Sequence, residues 1–372
     1  MKDEMRTLEL HVLIQELQFL LGAKVEKVFH PEPLKIILHL HVPNLGKQFL
    51  HITLPSLLYL SSEKGETPEV PSGFCVFLRK KLINARLQDL VQKDSERIVE
   101  MIFSTKDALF HLFLEFFGKG NLVLCDEQQK ILSLIQPQSL SDRVLRGGIP
   151  YEHPSRSVNV FDLSLEQLQS LSFEENISKT LAINLGMGRM YAEELCVRAK
   201  IDVKATQFTQ TQWKSLHLTI LSFLKEKTKG YLIKEGEKII DIVPYLLHCY
   251  AKNTQEEYTT FHEALNIVFS QTLQLQQHQK KQNIQNKKLS KVMVIIDAQT
   301  KQIEKMEEQR RHAQRAGELL YEHYQEVSSL LHQMKALHKT HSWDEIKKML
   351  QHHSLFKDIN ETTGEITIEI PD

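Results

Sequence analysis

The stretch KDSERIVEMIF, Lys93–Phe103, sets an acid and a guanidinium, Glu96 and Arg97, at the start of a run that otherwise reads as a buried strand. As a solvated strand end this pair contributes at most ~1 kcal/mol. A second acid, Glu9, stands in an apolar helical segment, and two carboxylates are the minimum for general acid and base work in a hydrolase. Spacing alone does not give their separation. Other reactive constellations are missing: FFGKGN lacks the spacing and the Ser or Thr of a phosphate-binding P-loop, and HLH at His39–His41 has no H-E-x-x-H or clustered acid beside it. We expect no catalytic residues, no metal site and no cofactor.

The chain that positions these residues has 372 amino acids, more than the ~250–300 at which single cores stop growing, so at least two folded units are expected. Lys plus Arg total 46 against 47 Asp plus Glu, so any polyanion-gripping face must be local. Four cysteines, Cys75, Cys125, Cys196 and Cys249, form no C-x-x-C pair and read as reduced thiols. MKDEMRTLEL carries charges where a signal peptide needs an apolar stretch, and no window approaches ~20 uninterrupted apolar residues. A soluble cytoplasmic protein, with no membrane partner, is expected.

LELHVLIQELQFLL, residues 8–21, has helical apolar spacing and Gly22 as its stop. Short β-branched or aromatic runs follow, KVEKVF through NLVLCD, separated by turn residues, and predict a mainly antiparallel sheet or barrel. Between them SGFCVFLRKKLINARL predicts a helix capped by Ser72, with Arg79, Lys80 and Lys81 toward its C-terminal half. DRVLRGGIPYEHPSRS predicts an ordered loop. From Leu163 the period turns helical, and TLAINLGMGRMYAEELCVRAKID reads as helix, tight turn through Gly186–Gly188, helix. Such a turn either offers N–H groups to a phosphate or is a bare helical corner.

GYLIKEGEKIIDIVPYLL returns to strand before a long helical region, where eleven of fourteen seam positions from Leu289 to Met334 are apolar. Those forty-six residues predict a coiled-coil rod of roughly 70 Å. An apolar seam needs a partner helix, which we expect from another chain or a C-terminal continuation. The rod's first half is basic: between Thr272 and Arg315, ten Lys or Arg face four acids. SWDEIKKMLQHH, with a Ser342–Glu345 capping box, and GEITIEIPD predict a last helix and strand. The fold class is therefore α+β: a mainly antiparallel β domain with helices (1–162), a helix-hairpin-helix subdomain (163–228), a return and connector (229–271), a long coiled-coil helix (272–341) and a tip helix and strand (342–372).

The order of these features resembles the NFACT proteins, ribosome-associated quality control tail-synthesis factors also called fibronectin-binding protein A-like. RTLELHVLIQEL with LLGAKVEKVFHP resembles the family's opening helix and first strand, and FCVFLRKKLINARL its F-C-x-x-L-R-K-H-L helix. ERIVEMIF resembles its D-R-I-V strand and LFLEFFGKGNLVLCD its E-L-x-G-K-G-N hairpin. LGMGRMYAEELCVRAKID is similar to the helix-hairpin-helix segment of archaeal members, and AGELLYEHYQEV with SWDEIKKML to the middle coiled coil.

The resemblance implies a non-enzymatic recruiter that binds large ribosomal subunits blocked by peptidyl-tRNA, brings in elongator tRNA and supports untemplated, alanine-type C-terminal tailing, the ribosome itself doing the chemistry. The family's tRNA-handling acid and Asp-Arg pair fall here on Glu9 and on Glu96-Arg97. An arginine bridges phosphates or stacks on a base, and a carboxylate accepts from base amino groups or a ribose hydroxyl. Arg79, Lys80, Lys119 and Asn121 are expected to join them at the tRNA, and Lys287, Lys288, Lys291, Arg310 and Arg311 to meet the ribosome. Both family aspartates are Glu here, His11 stands where an Arg is common, and the returning helix and basic C-terminal RNA-binding domain lie outside these residues. The whole reading requires Glu9 and Arg97 side by side and open to nucleotides.

Two other classes compete. The family's N-terminal domain has a distant likeness to bifunctional DNA glycosylases, but no N-terminal Pro-Glu nucleophile or cysteine zinc finger is present. A coiled-coil RNA-binding adaptor without tailing is the other alternative.

Overall fold

A computed structural model describes residues 2, 4–140, 143–154, 156–360 and 362–371. It divides into two compact units, Met1–Gln279 and Lys280–Asp372.

The first unit opens with α1 (Thr7–Glu16) and then the strands β1 (Lys24–Glu32), β2 (Lys35–Val42), β3 (Gly46–Thr53) and β4 (Leu57–Ser61). After α2 (Gly73–Leu82) come β5 (Arg86–Gln92), β6 (Ile98–Ser104), β7 (Leu109–Glu115), β8 (Asn121–Cys125) and β9 (Ile131–Leu134). These strands form one sheet in the order β4-β3-β2-β1-β5-β6-β7-β8-β9, with every neighbouring pair antiparallel. The β1–β5 join is short, centred on Lys24 opposite Arg86 and held by Val25 N donating to Ala85 O and Leu87 N to Ala23 O, both at 2.9 Å. The antiparallel sheet of the sequence reading is thus present. Ser72 caps α2, its Oγ accepting from Cys75 N at 3.1 Å.

α1 is buried at Thr7, Leu8, Glu9, Leu10, Val12, Leu13 and Ile14, leaving His11 and Gln15, one turn apart, on the outward stripe. A helix apolar on so many sides belongs inside a core rather than on it. That placement decides the fate of Glu9 below.

Three turns gather at one end of the sheet. Phe116 N donates to Arg97 O at 2.7 Å, which joins the β7–β8 turn to the β5–β6 turn. Gly120, at φ +71, lies so close to the β3–β4 turn that an added Cβ would sit 2.8 Å from Leu54 Cβ. The chain before α1 crosses the same end, with Met5 N donating to Ser56 O at 2.8 Å.

A short pairing of β10 (Gln138–Ser139) with β11 (Val144–Leu145) leads to α3 (Leu165–Gln169), α4 (Ile177–Asn184), α5 (Arg189–Arg198) and α6 (Gln210–Leu224). The return is a three-stranded sheet of β12 (Gly230–Glu235), β13 (Lys238–Val243) and β14 (Thr254–Tyr258), the last not anticipated from sequence.

The long helix α7 (Phe261–Glu322) starts well before the expected residue 272. Its first turns bury Phe261, Ala264, Leu265, Val268 and Phe269 in the core of the first unit. Glu16 fixes that start, its carboxylate accepting from Phe261 N at 3.0 Å and His262 N at 2.7 Å. The long helix ends sooner than the seam suggested, breaking at His323 before α8 (Tyr324–Leu337). In the second unit α8, α9 (Trp343–Met349), β15 (Phe356–Ile359) and β16 (Ile366–Ile368) enclose Leu330, Met334, Ile346, Leu350, Leu355 and Ile359. Glu345 accepts from Ser342 N at 3.0 Å, the acid half of the expected capping box. Among the described residues no helix is long and apolar enough to cross a membrane.

Candidate nucleic-acid interface

Glu9 is 0% exposed. Its Oε2 lies 2.8 Å from Lys2 Nζ and its Oε1 2.9 Å from Arg6 Nη1, while the Tyr191 hydroxyl donates to Oε1 at 3.1 Å. Asp241 of β13 closes the ring, 3.1 Å from Lys2 Nζ and 3.3 Å from Arg6 Nη1, and accepts from the Tyr250 hydroxyl at 2.8 Å. Two cations face two anions, so the buried charges are matched. Burial opposes the charged form of Arg6, but Glu9 and Asp241 outweigh it and raise its pKa above the ordinary value. Burial likewise favours the neutral acid at Asp241, yet Lys2 and Arg6 hold that carboxyl below the usual range. The expectation that Glu9 meets RNA directly is therefore corrected, and the requirement that Glu9 and Arg97 stand together open to nucleotides is not met: Glu9 is walled off beneath packed side chains, and only Arg97 of the two reaches solvent. Glu9 sits on the inner helix and presents Arg6, whose side chain is 32% exposed.

The β5–β6 turn carries Glu96 and Arg97, as the sequence placed them, just before β6. Glu96 is also mostly buried, and its Oε1 is 3.1 Å from Arg156 Nε. Burial pushes its carboxyl above the ordinary value, with Arg156 pulling the other way. Arg97 pairs with Glu4, and its Nη1 stands 3.5 Å from Met5 O. Its side chain is 26% exposed, and burial and the nearby Arg156 lower its pKa. Arg156 is the residue that sequence reasoning missed: its side chain is 31% exposed and its Nη1 donates to Ile183 O, the end of α4, at 2.5 Å.

The helical hairpin is closed rather than open. Gly186 N and Gly188 N turn inward to Ile183 O and Ala182 O. A Cβ on Gly186, at φ +66, would stand 2.6 Å from the Arg156 guanidinium. Thr7 Oγ1 donates to Gly186 O at 2.7 Å, tying α1 to the same corner. Arg6, Arg97 and Arg156, each about a third exposed, thus approach this end from three segments.

Of the remaining candidates, Lys119 is exposed at the β7–β8 turn, on the same sheet end as Arg97. Asn121 is not available. It is fully buried, its amide donating to Gln136 O at 2.8 Å and its Oδ1 accepting from Leu122 N at 3.0 Å, so its role is to hold the hairpin. Gly120 likewise serves packing against Leu54 and Pro55 rather than approach of RNA. Arg79 is half-buried, donating from Nε to Val28 O at 2.8 Å, and only Lys80 of the pair is exposed. Both belong to α2, which packs on β1. In the second unit Lys287, Lys288, Lys291, Arg310 and Arg311 are all exposed on α7. Among the described residues no His, Cys, Asp or Glu cluster has the makings of a metal site.

A family model for NFACT N-terminal and middle domains matches residues 7–371. The chain belongs to the NFACT family. Its relatives include the archaeal Rqc2 homolog aRqcH of Methanocaldococcus jannaschii, 27% identical over the whole of this chain and 58% of that protein. The Rqc2 homolog RqcH of Streptococcus pneumoniae is 28% identical over 75% of this chain and 53% of its own length. The present NFACT chain thus spans little more than half the length of these relatives. Among solved structures, the N-terminal part of the fibronectin/fibrinogen-binding protein from Streptococcus suis shares the fold, with a TM-score of 0.59 over 72% of this chain and 100% of that one, at 24% identity.

Of the residues the NFACT resemblance assigned to tRNA at this end of the sheet, Arg97 and Lys119 reach solvent, while Glu9, Glu96 and Asn121 are buried beneath them, a correction to the expectation of direct contact at those three. Arg6 had a signal in the sequence, three residues before an acid at a helix start. Arg156 had none, since it stands in an aperiodic loop.

Proposed function

We propose that this NFACT chain is the head and middle part of a ribosome quality control factor that binds stalled large ribosomal subunits carrying peptidyl-tRNA and recruits elongator tRNA for untemplated, alanine-type tailing. The relative in Saccharomyces cerevisiae, 32% identical over 48% of this chain, is named ribosome quality control complex subunit 2, which supports the ribosomal half of the reading. The observation that carries the tRNA half is the convergence of Arg6, Arg97 and Arg156 with Lys119 at one end of the sheet.

Arginines already held by carboxylates and backbone carbonyls lose little entropy on binding, and the exposed part of each guanidinium suits phosphate forks and base faces. Glu96 and Glu9 then act as supports that set guanidinium positions. The exposed cations of α7 serve the ribosomal RNA surface, and its apolar seam takes the returning helix of a coiled coil. The protein contributes binding and orientation, and the peptidyl-transferase centre contributes the bond-making.

The test is binding of tRNA and of dissociated large subunits across a salt series. A recruiter that neutralises several phosphates weakens steeply as salt rises. Arg97→Ala abolishes tRNA capture and leaves subunit binding intact, whereas charge reversal at Lys287, Lys288 and Lys291 does the converse. Equal loss of both activities in both variants, or loss of neither, overturns the assignment.

A further inference from the structure

Beside the arginine cluster, a cavity of about 380 Å³ opens between α1 and β5. Its wall is aromatic. The His11 imidazole stacks on the Phe161 ring with centroids 3.8 Å apart and planes 19° off parallel. Gln15 Nε2 lies 2.8 Å from His11 Nε2, so the amide donates and the imidazole accepts. Burial lowers the pKa of His11, which keeps the ring neutral at physiological pH.

The rim is rich in acceptors. Gln92 spends its amide donor on Thr7 O at 3.2 Å and Glu96 O at 2.8 Å, which fixes it to the Glu96-Arg97 turn. Its carbonyl oxygen is buried and makes no well-formed hydrogen bond, the His11 ring N–H being the donor within reach of it. A buried acceptor without a well-formed bond is a deficit that a bound group relieves. Asp94, exposed at the same turn with φ +48, adds a carboxylate whose described partner is His153 Nε2, 3.8 Å away.

We propose that this cavity receives one unstacked nucleobase from a bound RNA loop, stacked on the His11–Phe161 pair and read through its exocyclic amino hydrogens by Gln92 Oε1 and Asp94. The inference rests on the tRNA-recruiting reading and specifies how the loop is recognised. A site of this size accommodates a small ligand, and splayed bases are read in RNA complexes by an aromatic platform with hydrogen bonds to the base edge. Two acceptors facing the base favour adenine, cytosine or guanine and disfavour uracil, whose corresponding position is a carbonyl.

The experiment uses the full 372-residue chain and RNA stem-loops identical except at one loop position, which carries cytosine, uracil or no base, the position being scanned around the loop. Removing the base at one position weakens binding about tenfold, the scale of a single base–aromatic stack, and uracil there is disfavoured against cytosine. His11→Ala erases the gap between intact and abasic loops, and His11→Phe restores it. Asp94→Asn, a surface change that keeps a residue tolerant of positive φ, narrows the cytosine-to-uracil ratio. Steep salt dependence with no penalty at any abasic position, or a penalty untouched by His11→Ala, overturns the pocket and leaves the recruiting reading standing. No binding of tRNA or stem-loops at low salt overturns both.

Discussion

The Tyr191 hydroxyl of α5 donates a hydrogen bond of 3.1 Å to Glu9 Oε1 of α1, and neither side chain has any exposed surface. Through this bond and the cations Lys2 and Arg6, one carboxylate links the inner helix, the helical hairpin and β13. Electrostatic matching here fixes where the helical hairpin and Arg6 stand relative to the sheet.

Glu9→Gln keeps the shape and removes the charge, leaving the buried Lys2 and half-buried Arg6 to share Asp241 alone, one cation in excess. Breaking one partner of a buried ion network costs about 3–5 kcal/mol. We expect a correspondingly lower denaturant midpoint, followed by circular dichroism, with Lys2→Met in the same background recovering part of the loss because it removes the stranded cation. An unchanged midpoint together with lost tRNA binding would return Glu9 to direct contact.

Gly120 and Gly118 separate two costs. Both have positive φ, +71 and +57, but an added Cβ meets Leu54 Cβ at 2.8 Å and Pro55 N at 3.0 Å only at Gly120. Gly118→Ala carries the left-handed backbone penalty alone, about 1–2 kcal/mol. Gly120→Ala adds a clash that includes backbone, for a total of roughly 2–5 kcal/mol. Equal melting temperatures for the two variants would show that the hairpin has room to move.

Glu16→Ala removes the carboxylate that accepts from the first two amides of α7. Loss of a helix cap costs about 0.5–2 kcal/mol, and fraying is confined to the helix start. Hydrogen exchange should quicken at Phe261–Leu265 while the sheet amides keep their protection. Global acceleration of exchange would contradict a local role.

The antiparallel sheet, the Ser72 cap and the helical hairpin were legible because each is written in local periodicity and turn chemistry. The early start of α7 was not, since Phe261, Ala264, Leu265 and Val268 are helical in spacing but their burial depends on the distant head core. The same limit governs the site. Glu96-Arg97 announces itself as a charged interruption of a strand, whereas the burial of Glu9 is settled by Lys2, Asp241 and Tyr191, the latter two being distant in sequence. Asn121 misled for a related reason: a turn-forming residue beside glycines has the same sequence signature whether it faces RNA or closes its own hairpin.

His51 makes the first unit sensitive to acid. It is fully buried, its ring lies 4.7 Å from Tyr59 at 8°, and its Nε2–H donates to Glu63 O at 2.8 Å, which leaves Nδ1 buried without a partner. A proton on Nδ1 would have no acceptor, and burial lowers the pKa from 6.5 to about 4. Because the folded value is depressed, the unfolded chain binds the proton first as pH falls. The stabilisation is complete above 6.5, declines between 6.5 and about 4, and is lost below that, a change on the order of 3 kcal/mol. His51→Phe keeps the stacked ring and abolishes the titration, so the stability of the variant should fall less steeply over this window, by up to about 1.4 kcal/mol per pH unit. It should also lose about 1 kcal/mol at neutral pH from the missing bond to Glu63 O. Parallel pH–stability curves for the two proteins would mean that His51 accepts its proton without cost and that the packing of Tyr59 against Phe269 of α7 yields to make room for it.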